Sequence, residues 1–148
     1  MTSMRLETVP LDLLISIEPA LHFEQNMVNM FKHFDRKRFG RIPVVGYSAA
    51  GIDKFIMGDG HHRAAYCYLT QQQANIEILE TDREVYGKIV GAFSYFERIE
   101  TFISAYLTVY KVGCDENNVY SIEDMVRNQA RINPNGIVAR KLQLLDSF

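Results

Sequence analysis

The sequence predicts an α/β core followed by a helical C-terminal region. Three observations carry that prediction. Short apolar runs punctuated by Gly and Pro dominate up to Asp82, a glycine-led turn at 58–63 feeds straight into a helix, and helical spacing of apolar residues takes over after Asp82. A chain of 148 residues suits one compact unit, and 47% hydrophobic against 23% charged residues is the balance of an ordinary globular protein rather than a disordered one. The predicted organisation is a core over 1–82 and a helical extension over 83–148 packed on it.

Met4–Val9 alternates and predicts a first strand ending at Pro10, followed by an apolar turn or strand over Leu11–Ile17. Pro19 breaks the chain ahead of a helix. From Glu24, the residues Met27, Met30, Phe31 and Phe34 recur at i, i+3, i+4 and i+7, one buried helical face. Asp35–Arg41 is a basic connector that serves as a solvated helix end or places Arg38 or Arg41 beside an anion. Ile42–Tyr47 and Asp53–Met57 predict a hairpin across the turn residues Ser48–Gly51. A helix over Gly60–Gln72 and a strand over Asn75–Leu79 follow, with Ile76 and Ile78 alternating against Glu77.

Beyond Asp82, the positions Val85, Ile89, Phe93, Phe96, Ile99, Phe102, Ile103, Tyr106 and Leu107 predict one long helix or two in succession. Gly113–Asn118 reads as a loop, Ser121 as the N-cap of a further helix, and Asn133-Pro134-Asn135-Gly136 as a turn. The aromatic side chains of this region cover the sheet or form a dimer interface, so a homo-oligomer is compatible with the pattern.

The chemistry concentrates in Gly58-Asp59-Gly60-His61-His62-Arg63. Glycines allow a sharp turn and close backbone approach, first-turn helical amides point at an anion, and Arg63 offers a planar charged fork to phosphate oxygens. Asp59 serves as a helix cap or as an oxygen ligand for Mg²⁺. His61 and His62 diverge by ~100° on a helix, which disfavours a shared transition metal. Cys67 and Cys114 lack zinc-type spacing and read as reduced thiols. His22 and His33 carry no partner spacing and are assigned no role. The net charge of -2 argues against broad attraction to nucleic acid, leaving it a less favoured partner. Arg5, Glu7 and Asp12 interrupt the start of the chain and no apolar run nears ~20 residues, so the expectation is a cytoplasmic protein without a membrane partner.

The order of elements from Leu6 to about Glu80, with Val9-Pro10-Leu11-Asp12-Leu13-Leu14, Ile42-Pro43-Val44-Val45 and the glycine-led motif, resembles the ParB/sulfiredoxin superfamily and its small mixed sheet. Sulfiredoxins carry Gly-Cys-His-Arg at the motif; His61 in place of the cysteine argues against sulfinic-acid reduction. ParB proteins carry Gly-Glu-Arg-Arg, of which Arg63 is retained here. The Asp-Gly-His-His-Arg form is similar to the free serine kinases, which phosphorylate a free amino acid hydroxyl with an adenine nucleotide. That resemblance implies ATP or ADP with Mg²⁺ as cofactors and a nucleotide and small-molecule substrate as ligands. It implies phosphate binding by Gly58, Gly60, His61, His62 and Arg63, with Asp59 as metal ligand or orienting group. A carboxylate just before the first helix would be the catalytic base. The family's Pro-x-Glu spacing places Leu21 at that position, so Glu24 is the first choice and Glu18 the second. The alternative readings are a non-enzymatic ParB-type regulator associated with nucleotide or DNA, and a ParB-like nuclease; clustered cations for the former and convergent carboxylates for the latter are sparse.

Overall fold

The structure is a computed structural model that describes residues 5–22, 24–32, 41–49, 51–89 and 95–147. Met4, His33, Phe34, the connector from Asp35 to Gly40 with Arg38, and Phe93 lie outside the described residues. Alternation of side chains builds the sheet. Strands β1 (Arg5–Val9), β2 (Leu14–Ile15), β3 (Ile42–Ala49), β4 (Ile52–Met57) and β5 (Ala74–Ile78) form one five-stranded mixed sheet in the order β1-β5-β3-β4-β2. The β3–β4 pair is the antiparallel hairpin expected, while β3 runs parallel to β5 and β2 parallel to β4.

Both faces of this sheet are covered where β3 and β4 carry the continuous apolar runs Ile42–Val45 and Phe55–Met57. Val44, Met57, Ile76 and Leu14 point to one face, and Val45, Ile56, Leu79 and Ile15 to the other. On the first face lie α1 (Gln25–Lys32), α2 (His61–Leu69), α6 (Ile122–Ile132) and α7 (Ile137–Asp146). Ala64 and Ala65, fully buried and small, bring α2 close to the strands. Met125, Val126, Val138 and Leu142 from the C-terminal helices enter the same core as Val9 and Val44, so side chains from both halves of the chain share one interior. A fully buried Met, Leu or Ile in such an interior contributes ~2 kcal/mol. Helix α6 begins as expected at Ser121, whose hydroxyl accepts from the Asp124 N–H in a reciprocal capping box.

The opposite face is covered by α3 (Asp82–Val85) and by a rod made of α4 (Ile99–Ala105), a π-helical turn (Tyr106–Tyr110) and α5 (Lys111–Glu116). Here the helical periodicity misleads. Gly87 adopts φ +88° and turns the chain after a single helical turn, and Arg98 is still extended at φ -140°, ψ 144°. Val85, Ile89, Phe96 and Phe102 meet by packing against the sheet, not along one helix. The loop expected from Gly113 is corrected in the opposite sense. Helix α5 runs through Gly113 to Glu116, and the chain turns only at Asn117 and Asn118, the latter at φ +56°. Packing of Tyr106 and Cys114 on either side carries the helix past the glycine. Phe96, Phe102 and Tyr106 cover the sheet, whereas Tyr86 and Tyr95 stay exposed and stack edge-on at 6.2 Å. Among the described residues no helix is long and apolar enough to cross a membrane.

Candidate functional site

Three strand ends converge beneath the glycine-led turn. Pro43 opposes Glu77 across β3–β5, and Val44 opposes Met57, the last residue of β4. Gly58 follows directly, its N–H donating to the Pro43 carbonyl at 3.1 Å. A Cβ on Gly58 would sit 2.5 Å from Ile89 Cγ1, so glycine is required by close packing. Gly60 is required for a second reason: it is the N-cap of α2 in the left-handed region, at φ +87°. Its carbonyl accepts the first helical bond, from the Ala64 N–H at 2.9 Å. The first-turn amides of α2 therefore face the turn at the positive end of the helix dipole.

Asp59 caps in an unusual way. Its Oδ1 accepts from the adjacent Gly60 N–H at 2.7 Å. The residue stays exposed between two cavities. One is a groove of about 360 Å³ lined by Arg41, Asp59, Arg63, Glu77 and Lys88. Arg63 is anchored there by donating to the Arg41 carbonyl at 3.0 Å, and Lys88 Nζ pairs with the nearly buried Glu77 at 3.1 Å. Among the described lining residues, three cations against two carboxylates give this groove an excess of positive charge. The other cavity is a cleft of about 450 Å³ with Glu18, His22, Asp59 and Tyr110 in its wall. The π-helical turn puts Tyr110 there while holding Tyr106 against Tyr47 on the sheet, 5.8 Å apart.

His61 opens α2, but its ring is buried away from the groove lined by Arg41, Arg63 and Lys88. The imidazole is 3% exposed, and its Nε2 accepts from the Ile17 N–H at 3.1 Å. The proton then sits on Nδ1, which faces Glu18 Oε2 at 3.8 Å. Burial, aided by His62 and His22, pushes the His61 pKa down to about 3, so the ring is neutral. This corrects the expectation of a phosphate-donating His61 side chain: it is a tether for the loop that carries Glu18, and only its backbone lies in the turn. His62, half-buried, occupies the next position of the same first turn.

Glu24, the first choice for a catalytic base, is also corrected. Its Oε2 accepts from Gln129 Nε2 and Asn133 Nδ2, each at 2.8 Å, and its Oε1 accepts from the Val138 N–H at 2.8 Å. It caps α7 from outside that helix, and three donors occupy the carboxylate. A Cβ on Gly136 would collide with it, which is why the turn into α7 carries glycine.

Glu18, the second choice, lies in the cleft beside Asp59. Burial raises its pKa above the ordinary carboxylate value and the Asp59 charge adds to the rise, with His22 opposing both. The loop under it is held at several points. Ser16 Oγ donates to the Glu18 carbonyl at 2.7 Å, Cys114 Sγ to the Ser16 carbonyl at 3.6 Å, and Asn128 Nδ2 to the Pro19 carbonyl at 2.8 Å.

Of the residues singled out in the sequence, the structure gathers Asp59, Arg63 and Arg41 at one groove; Lys88 and Glu77 in that groove, and His22 and Tyr110 in the cleft, are given no role there. Gly87 was the available signal for Lys88, because a glycine within an apparent helical pattern is a common turn point. No local signal marks Tyr110, which reaches the cleft from ~50 residues downstream of the motif. Among the described residues no three His, Cys, Asp or Glu side chains converge as a metal centre. No protein-family model matches the chain, and no curated protein matches it.

Proposed function

We propose that this chain binds a nucleotide by its phosphates and transfers a phosphoryl group to the hydroxyl of a small molecule. The observation that carries this reading is the position of Asp59 between an electropositive groove and a cleft holding a carboxylate of raised pKa. Phosphoryl transfer needs two adjacent sites of this kind, one neutralising phosphate charge and one accepting a proton. The resemblance to the ParB/sulfiredoxin superfamily and to the free serine kinases supports an adenine nucleotide as donor and a free amino acid hydroxyl, such as that of serine, as acceptor.

In this reading Arg63, Arg41 and Lys88, with the amides of the α2 first turn and His62, hold the phosphates. Mg²⁺ on Asp59 would supply charge neutralisation at the transferred group. Glu18 removes the acceptor's hydroxyl proton. The acceptor oxygen forms its bond to the terminal phosphorus, the bond from that phosphorus to the bridging oxygen breaks, and the electron pair leaves on the nucleotide. The raised pKa of Glu18 strengthens it as a base near neutrality, and turnover should fall as acid protonates it, at a pH above the usual carboxylate range.

A thermal-shift panel of ATP, ADP, CTP and GTP with and without Mg²⁺ tests the binding step. Stabilisation by an adenine nucleotide that disappears in Arg63→Ala is the expected result. Stabilisation by CTP alone, with no phosphorylated product, would favour the regulator reading. A shift unchanged by Arg63→Ala would place the ligand elsewhere and sink the proposal.

A further inference from the structure

We propose that the outer face of the rod formed by α4, the π-helical turn and α5 is a self-association surface, on which a second copy of this chain packs antiparallel across a two-fold axis. The proposal is independent of the phosphotransfer reading. A groove of about 560 Å³ runs along this face. Ile99, Ile103 and Leu107 stand four residues apart and form an apolar ridge in it, and beside them Ser104 and Thr108 form a low shelf of small side chains. Leu107 is 43% exposed, and Val112, one turn beyond the shelf, is 48% exposed. Lys111 and Asp115 extend the ridge at the same spacing. In a straight α-helix each four-residue step drifts by ~40°, which would wind such a row off the face. The wider π-helical turn at Tyr106–Tyr110 takes back part of that drift and keeps the row on one side.

Two features of this face select a second copy as its occupant. The first is shape. Ridges of one helix pack into the grooves of another, and a ridge lying beside a shelf of matching length accepts its own copy after a two-fold rotation. With the axis near Ala105, Ile103 of one copy meets Leu107 of the other, and Ile99 lies along the methylene stem of the partner's Lys111. The second is charge. Arg98 pairs with Glu100 at 3.2 Å at one end of the rod, and Lys111 pairs with Asp115 at 3.0 Å at the other, both on the surface. Exposed pairs of this kind hold little energy and regroup readily. Antiparallel packing brings Glu100 to the partner's Lys111 and Arg98 toward the partner's Asp115, so opposite charges meet at both ends of the contact. Parallel packing would instead set each of these residues against its own copy, like charge on like charge.

Sedimentation velocity over a concentration series tests the surface in the full chain. The expected result is a reversible monomer–dimer equilibrium whose dissociation constant rises ~tenfold or more in Leu107→Asp, which buries a charge in the ridge. Thr108→Arg fills the shelf and leaves the ridge intact; it should weaken the dimer to a similar extent, so the test survives if Leu107→Asp fails to fold. Glu100→Lys should weaken association by setting like charges together. Combining it with Lys111→Glu in the same chain should restore the dimer, because the exchanged charges again meet across the two-fold axis. A chain that stays monomeric throughout the series would overturn the proposal and leave the groove to another occupant. A dimer indifferent to both Leu107→Asp and Thr108→Arg, or a double variant no tighter than Glu100→Lys alone, would overturn it as well.

Discussion

The loop from Ser16 to Glu24 and the turn from Gly58 to Arg63 contribute to the same site but are held by opposite means. The turn is shaped locally: Gly60 takes φ +87°, Asp59 bonds its own neighbour, and α2 starts at the next residue. The loop has almost no regular structure of its own and is fastened by residues more than 40 positions away. Ile17 is bound to His61, Pro19 to Asn128, Leu21 to Gln129, and Glu24 to the start of α7. Under the proposed reading, the half that would hold phosphate is shaped by its own residues, and the half that would accept a proton is positioned by α6 and α7.

The largest expected effect comes from cutting the loop's outermost fastening. Glu24→Ala leaves the donors of Gln129, Asn133 and Val138 without their acceptor and should destabilise the fold by ~3 kcal/mol in urea denaturation. Nucleotide affinity of the folded variant should change little, since the turn does not depend on that carboxylate. A variant as stable as the parent would remove the distinction between the two regions.

His61 joins the two regions, and its protonation should break the join. Its folded pKa of about 3 lies below the ordinary 6.5, so the unfolded chain binds the extra proton first and stability falls as pH drops through that window. His61→Gln keeps an acceptor for the Ile17 N–H but cannot titrate. The variant should be ~1–2 kcal/mol less stable at pH 7, with the gap closing at ~pH 5 and reversing below it. Parallel stability–pH curves for the two proteins would contradict the assignment.

A stability loss of comparable size is expected in the turn itself. Gly60→Ala forces a side chain into the left-handed region and against Ile42 at 3.3 Å, costing ~1–2 kcal/mol. The α2 amides would tilt with it, so nucleotide affinity should fall several-fold more than the stability loss explains. Unchanged affinity would detach the turn from ligand binding.

How much of this was legible follows from the same contrast. The hairpin, the first and last strands, the Ser121 cap and the glycine-led turn each depend on residues within a few positions, and each was readable. The stretch after Asp82 was not, because Val85, Ile89 and Phe96 bury themselves on the sheet and so mimic helical spacing across the turn at Gly87. The choice between Glu24 and Glu18 was equally hidden. Both are carboxylates near the first helix, and which of them faces a cleft is set by α6 and α7.

By itself, the order of residues determined the elements of the mixed sheet, the conformation of the Gly58–Gly60 bend and the concentration of His and Arg at the head of α2. Steric limits on the backbone and alternation of apolar side chains are short-range, so a linear string suffices to express them. Only the tertiary structure decided that His61 is a buried neutral tether, that Glu24 caps a helix, and that Glu18 shares a cleft with Asp59 and Tyr110. Burial and charge proximity are properties of the packed chain, and they determine whether a carboxylate or an imidazole is a structural bond or a proton acceptor.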